Sequence, residues 1–101
     1  MINMDNIYST LFGIFANDWE KAEKVGRDKV NGYTIDTCYT VDAGWETAVW
    51  YKGNPMIIVA RYADKEMAAQ GHNEWVDTCT TNRPTHAFSV QTDRIETFME
   101  E

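Results

Sequence analysis

The chain has 101 residues, enough for one hydrophobic core and too few for two. Its 44% hydrophobic and 25% charged shares are those of a globular protein, and four Trp, five Tyr and four Phe exclude a disordered one. The longest unbroken apolar run, Met56–Ala60, excludes a membrane-spanning helix, and no signal peptide is expected ahead of the fold.

The formal charge is −7 and uneven: residues 64–101 hold eight acids against three bases. A surface of this sign repels phosphate, so direct binding of nucleic acid is disfavoured. Acidic excess commonly serves solubility. It also suits contact with a basic protein surface.

In chain order, the first predicted element is an amphipathic helix over about 6–25. At 100° per residue, Ile7, Tyr8, Leu11, Phe12, Ile14, Phe15, Trp19 and Ala22 share one broad arc, with Gly26 as a C-terminal cap and Asn31-Gly32 as a turn beyond it. The arc is wider than docking on one small sheet requires. Tyr8, Phe12, Phe15 and Trp19 are therefore the expected anchors of a protein partner or of a second copy.

From Gly32 the hydrophobic period changes to two. Residues 33–41 and 45–51 alternate as half-buried strands, separated by a turn at Asp42-Ala43-Gly44. Lys52-Gly53-Asn54-Pro55 reverses the chain again. The run 56–62 is apolar almost throughout, as in a central strand covered on both faces. Asp64 caps a second helix running to about Thr80, with Met67, Ala68, Gly71, Trp75 and Cys79 on one face. A fourth strand follows at 87–91, then a helical turn or acidic tail over 93–101.

The expected fold is a single α+β domain of order α-β-β-β-α-β, with its sheet and helix core over 32–91. Strands 33–41, 45–51 and 56–62 form an antiparallel meander. The second helix is a right-handed crossover that brings 87–91 alongside 56–62.

Chemistry has few candidates. A thiol nucleophile would need Cys38 or Cys79, a base from His72 or His86, and a carboxylate such as Asp36 or Asp77 to orient it. No local signature joins them, and both cysteines read as small buried hydrophobes, reduced in the absence of any oxidising context. Asp36, Asp42, Glu46 and Glu74 lack the spacing of a metal site, the glycines form no phosphate loop, and no cofactor is expected. Glu46, Gly71, His72 and Trp75 form a set expected to dock the helix on the sheet, with His72 bonding to Glu46 or to a backbone carbonyl.

Several segments together carry a resemblance: Asp36-Thr37-Cys38, Trp45-Glu46-Thr47-Ala48-Val49, Ile57-Ile58-Val59-Ala60-Arg61-Tyr62, Lys65-Glu66-Met67-Ala68 and Gly71-His72-Asn73-Glu74-Trp75-Val76. Over about residues 36–79 the chain resembles a group of small proteins of tailed bacteriophages. These share a Glu-Thr-x-Val strand, an Ile-Val-x-x-Tyr strand and an Ala-x-x-Gly-His-x-x-Trp helix. The resemblance implies a phage origin and no particular chemistry, and it does not extend to the 6–25 helix. The expected function is therefore non-enzymatic: a virion-associated head or tail accessory protein, held by contacts with phage structural proteins or with itself. The alternative is an inhibitor of a host defence or nucleic-acid-binding protein, acting through the acidic surface. The expected location is the virion or the host cytoplasm.

Overall fold

The structure, a computed structural model, describes residues 23–99. Among them lie six strands and one helix: β1 (Glu23–Val30), β2 (Tyr33–Thr40), β3 (Gly44–Tyr51), β4 (Ile57–Tyr62), α1 (Lys65–Thr81), β5 (His86–Ser89) and β6 (Arg94–Thr97). Strands β1 to β4 form one antiparallel sheet in chain order, and β5 pairs with β6 in a separate hairpin.

This overturns the expected α-β-β-β-α-β order. The described helix follows the fourth strand, and residues 23–25, assigned above to the end of a helix, open a strand. The rest of the expected 6–25 helix, with Tyr8, Phe12, Phe15 and Trp19, lies outside the described residues. The physical reason for β1 sits in its turn. Asn31 and Gly32 both adopt positive φ, 51° and 88°, and Val30 pairs with Tyr33. A two-residue Asn-Gly loop of this kind matches the twist of paired strands. The turn joins two strands rather than following a helix.

At the other end, residues 94–97 are neither helical nor a free tail. They pair with 86–89, so that 87–91 joins the hairpin and not the main sheet. β5 nevertheless lies against β4, and the Val90 amide donates to the Ile58 carbonyl at 2.9 Å. The apolar β4 is thus the last strand of its sheet, with part of its outer edge occupied by this contact.

The sheet is buried on both sides along β2 and β3. Toward α1 lie Tyr33, Ile35, Val49, Ile57 and Val59, packed with Cys79, Ala87 and Phe98 and flanked by Trp75 and Val76. The opposite face carries Cys38, Ala48, Trp50 and Ile58. A shift in register at Thr47/Ala48 leaves Val59 unpaired, so Val59 and the adjacent Ala60 both pack toward the helix side. Helix α1 begins at Asp64, whose carboxylate accepts from the Met67 amide at 2.9 Å, and it contacts all four strands. At its C-terminal end the Asn31 side chain donates to the carbonyls of Cys79 and Thr80, tying the first hairpin to the helix end.

Candidate functional site

Strand parity places Asp28, Thr37, Thr47 and Tyr62 on the helix side of the sheet, one on each strand, and His72 on α1 meets them. The result is a continuous hydrogen-bonded chain. Asp28 Oδ2 lies 2.7 Å from His72 Nε2, and His72 Nδ1 lies 2.7 Å from Thr37 Oγ1. Thr37 Oγ1 is 2.6 Å from Thr47 Oγ1, which is 2.9 Å from the Tyr62 hydroxyl. Thr37 and Thr47 are fully buried and His72 nearly so, while Asp28 at the β1 edge keeps a 54% exposed side chain.

Two glycines admit the rings. A Cβ at Gly26 would stand 2.9 Å from His72 Nε2, and one at Gly71 would overlap the Tyr62 ring. This is what Gly71 does in mid-helix, where it otherwise costs about 1 kcal/mol against Ala. Burial raises the Tyr62 hydroxyl pKa, the hydrogen bond shared with Thr47 lowers it, and the charge of the Glu74 carboxylate raises it further.

Carboxylate, imidazole and hydroxyl in series are the parts of a nucleophilic triad. Here the hydroxyl belongs to Thr37, which is sealed within the core, so an acyl group from solvent cannot reach it. What this series of bonds does directly is give the buried side chains of Thr37, Thr47 and His72 their hydrogen-bond partners.

The opposite face holds a second polar group. Asp36 is fully buried, with Lys24 Nζ 2.9 Å and Arg27 Nη2 2.7 Å from its Oδ2. Arg27 also lies over the Trp50 ring, 5.7 Å from its centroid. Glu46 pairs with Arg61 at 2.9 Å; burial raises its pKa, and Arg61 only partly offsets this. Burial pushes the Cys38 thiol up to about 12, with the Asp36 charge adding to the effect, and the Cys79 thiol up to about 11. Neither is a thiolate near neutrality.

The expected docking set therefore divides. Gly71 and His72 meet the sheet, and Trp75 packs half-buried against the core. Glu46 faces away from the helix, one residue out of phase with Thr47, so it cannot be the partner of His72; Asp28 and Thr37 are. The thiol candidates also separate. Cys38 and Asp36 lie across the sheet from His72, and Cys79 is two helical turns along α1, roughly 10 Å by the helical rise. His86 bonds to Thr85 on the hairpin, and Asp77 is exposed on α1. Among the described residues no group of three or more His, Cys, Asp or Glu side chains is placed to hold a metal, and no helix is long and apolar enough to cross a membrane.

Among the described residues Tyr39, Val41 and Met67 are exposed apolar side chains, and the β5–β6 hairpin presents an exposed apolar pair. Phe88 and Ile95 are directly opposed across the β5–β6 hairpin, 46% and 63% exposed. Their face continues through the next opposed pair on that side, His86 and Thr97, and bears no Lys, Arg, Asp or Glu. An open cleft of about 390 Å³ runs beside it, between Asn54-Pro55 and residues 94–99. The expectation of a helical turn or acidic tail over 93–101 hides this surface, although Arg-Ile-Glu-Thr alternates as a short strand does.

No family model, curated protein or solved structure matches the chain.

Proposed function

We propose that the protein acts by binding another protein, as an accessory component of the head or tail of a phage particle, and that the β5–β6 hairpin is its contact surface. The opposed pair Phe88–Ile95 carries this reading. Two large apolar side chains side by side on an uncharged strand face stabilise a docked partner, whereas solvent gains nothing from them. The resemblance of residues 36–79 to small phage proteins supports the setting. The sealing of Thr37 and the raised thiols support a binding role over a chemical one.

The alternative, an inhibitor of a basic host protein, draws on a different surface. Asp64, Glu66, Glu74 and Asp77 are solvent-facing on α1 and its cap, though Thr78 and Thr80 beside them are spent on helix carbonyls.

Mass spectrometry of gradient-purified virions is the test, with wild type compared against Phe88→Ser/Ile95→Ser. The expected result is wild type present in the particle at a fixed ratio to the major capsid protein, and the folded double variant absent. Wild type absent from virions and recovered on a basic host protein would establish the inhibitor instead.

A further inference from the structure

The hydrogen-bonded chain across the sheet has a definite count of protons. From His72 Nδ1 to Tyr62 there are three bonds, through Thr37 and Thr47, and the three hydroxyls bring one proton each. Asp28 sets the tautomer. Its carboxylate only accepts, so the His72 Nε2 facing it at 2.7 Å must carry a hydrogen, and in the neutral ring Nδ1 is then an acceptor. All three hydroxyls point one way: Tyr62 donates to Thr47, Thr47 to Thr37, and Thr37 to His72. Every bond is filled and no proton is left over.

Add one proton to His72 and the count changes. Nδ1 becomes a donor to Thr37, so Thr37 must turn to Thr47 and Thr47 to Tyr62. Four protons now compete for three bonds, and the one displaced is that of Tyr62, the outermost member. It must point away from Thr47.

We infer that Tyr62, Thr47, Thr37, His72 and Asp28 form a proton relay across the sheet, in which the protonation of His72 is read out as the direction of the Tyr62 hydroxyl. The transfer balances with no co-reactant other than solvent. Tyr62 takes a proton from a hydronium ion of the solvent, which is left as water, and passes its own to Thr47; Thr47 passes its own to Thr37, and Thr37 passes its own to His72 Nδ1. Each hydroxyl keeps one hydrogen, and His72 becomes a cation beside Asp28. The relay crosses all four strands, roughly 14 Å at the usual spacing. Its interior is dry and its ends are not, because Tyr62 is half-buried and Asp28 more than half exposed.

Among the described residues the groups facing this chain are few. Asp28 and Glu23 come from β1, Glu23 ion-paired with Lys65 of α1; the uncharged Thr37 and Thr47 come from β2 and β3, Tyr62 from β4 and Glu74 from α1. Lys24, Arg27, Asp36, Glu46 and Arg61 lie on the other face of the sheet, in ion pairs of their own.

The experiment is a pH titration of the full chain by NMR, following the His72 ring nitrogens and the Tyr62 ring carbon that bears the hydroxyl. Neutral His72 is expected as the Nε2–H tautomer, and the Tyr62 signal is expected to shift at the same midpoint as His72. In Thr37→Val the relay is cut beside His72: His72 still titrates, and Tyr62 no longer follows it. Thr47→Val makes the same cut one step further out and serves if the first variant does not fold. An Nδ1–H tautomer, a Tyr62 signal flat through the His72 titration, an undiminished Tyr62 response in the cut variant, or loss of the fold before His72 titrates would each overturn the relay.

Discussion

The ring of Tyr62 occupies the space in which any side chain at residue 71 would begin. Strand β4 and helix α1 are therefore held at a separation that only glycine permits. Gly71→Ala is expected to push the Tyr62 ring outward and break its bond to Thr47. The loss should be about 1–2 kcal/mol, despite the better helix propensity of alanine. In a Tyr62→Ala background the same change should instead stabilise, by up to about 1 kcal/mol. Urea melts of the four proteins form the cycle, and stabilisation by Gly71→Ala in the otherwise native chain would show that the close approach does not exist.

Phe98 is fully buried although it follows the last strand. Its ring meets Tyr33 edge-on at 5.7 Å, and its amide donates to the Thr85 carbonyl. Phe98→Ala should cost roughly 3–5 kcal/mol, as a large-to-small change in the core. Trp75→Ala, at a half-buried position, should cost less, roughly 2 kcal/mol. A Phe98→Ala midpoint within about 0.5 kcal/mol of wild type would return the segment to the status of a tail.

Both cysteines should be unreactive toward a disulfide reagent at pH 8 in the native protein and fully reactive in denaturant. Burial holds their thiol pKa values at about 12 and about 11, above the ordinary value of 9.0. The sign follows. A thiol whose folded value is raised stabilises fully below pH 9, and that stability is lost as pH rises toward 11–12, because the unfolded chain ionises first. Alkaline melts should therefore steepen above pH 9, by at most about 1.4 kcal/mol per pH unit for each thiol. Rapid labelling of either residue in the native state would contradict this.

Glu46 gives a pH dependence of the same sign in the acidic range. Burial raises its pKa, with Arg61 compensating in part, so the ionised side chain costs stability in the fold. Its favourable contribution is complete below the unfolded carboxylate value and fades as pH rises through the folded one. Glu46→Gln should flatten this dependence, so that the variant gains on wild type between pH 4 and neutrality. Parallel stability curves for the two proteins would show that Glu46 is not held in a desolvated site.

Much of the framework was legible from pattern. Period two located β2 and β3 and an unbroken apolar run located β4, with turn residues marking the ends of each. The Asp64 cap marked the start of α1 because a carboxylate at that position satisfies a free helix amide. Strand β1 was missed although Asn31-Gly32 is a hairpin signal. Its charged, alternating sequence, Lys24 to Lys29, lacks the apolar face by which strands are recognised, being the exposed edge of the sheet. Thr37 and Thr47 were also open to notice, as polar residues at core parity in otherwise apolar strands.

The sequence by itself determined that β2, β3 and β4 extend, where the turns between them fall, where α1 starts, and that Gly71 and His72 lie on or beside its packed face, since these depend on neighbours three or four residues apart at most. Only the tertiary structure decided that Asp28 would meet a histidine 44 residues away, that Glu46 would turn to the far side of the sheet, and that 86–97 would close on itself. Those outcomes depend on strand order and register. Because side chains alternate across a sheet, one residue of register moves each polar group to the opposite face.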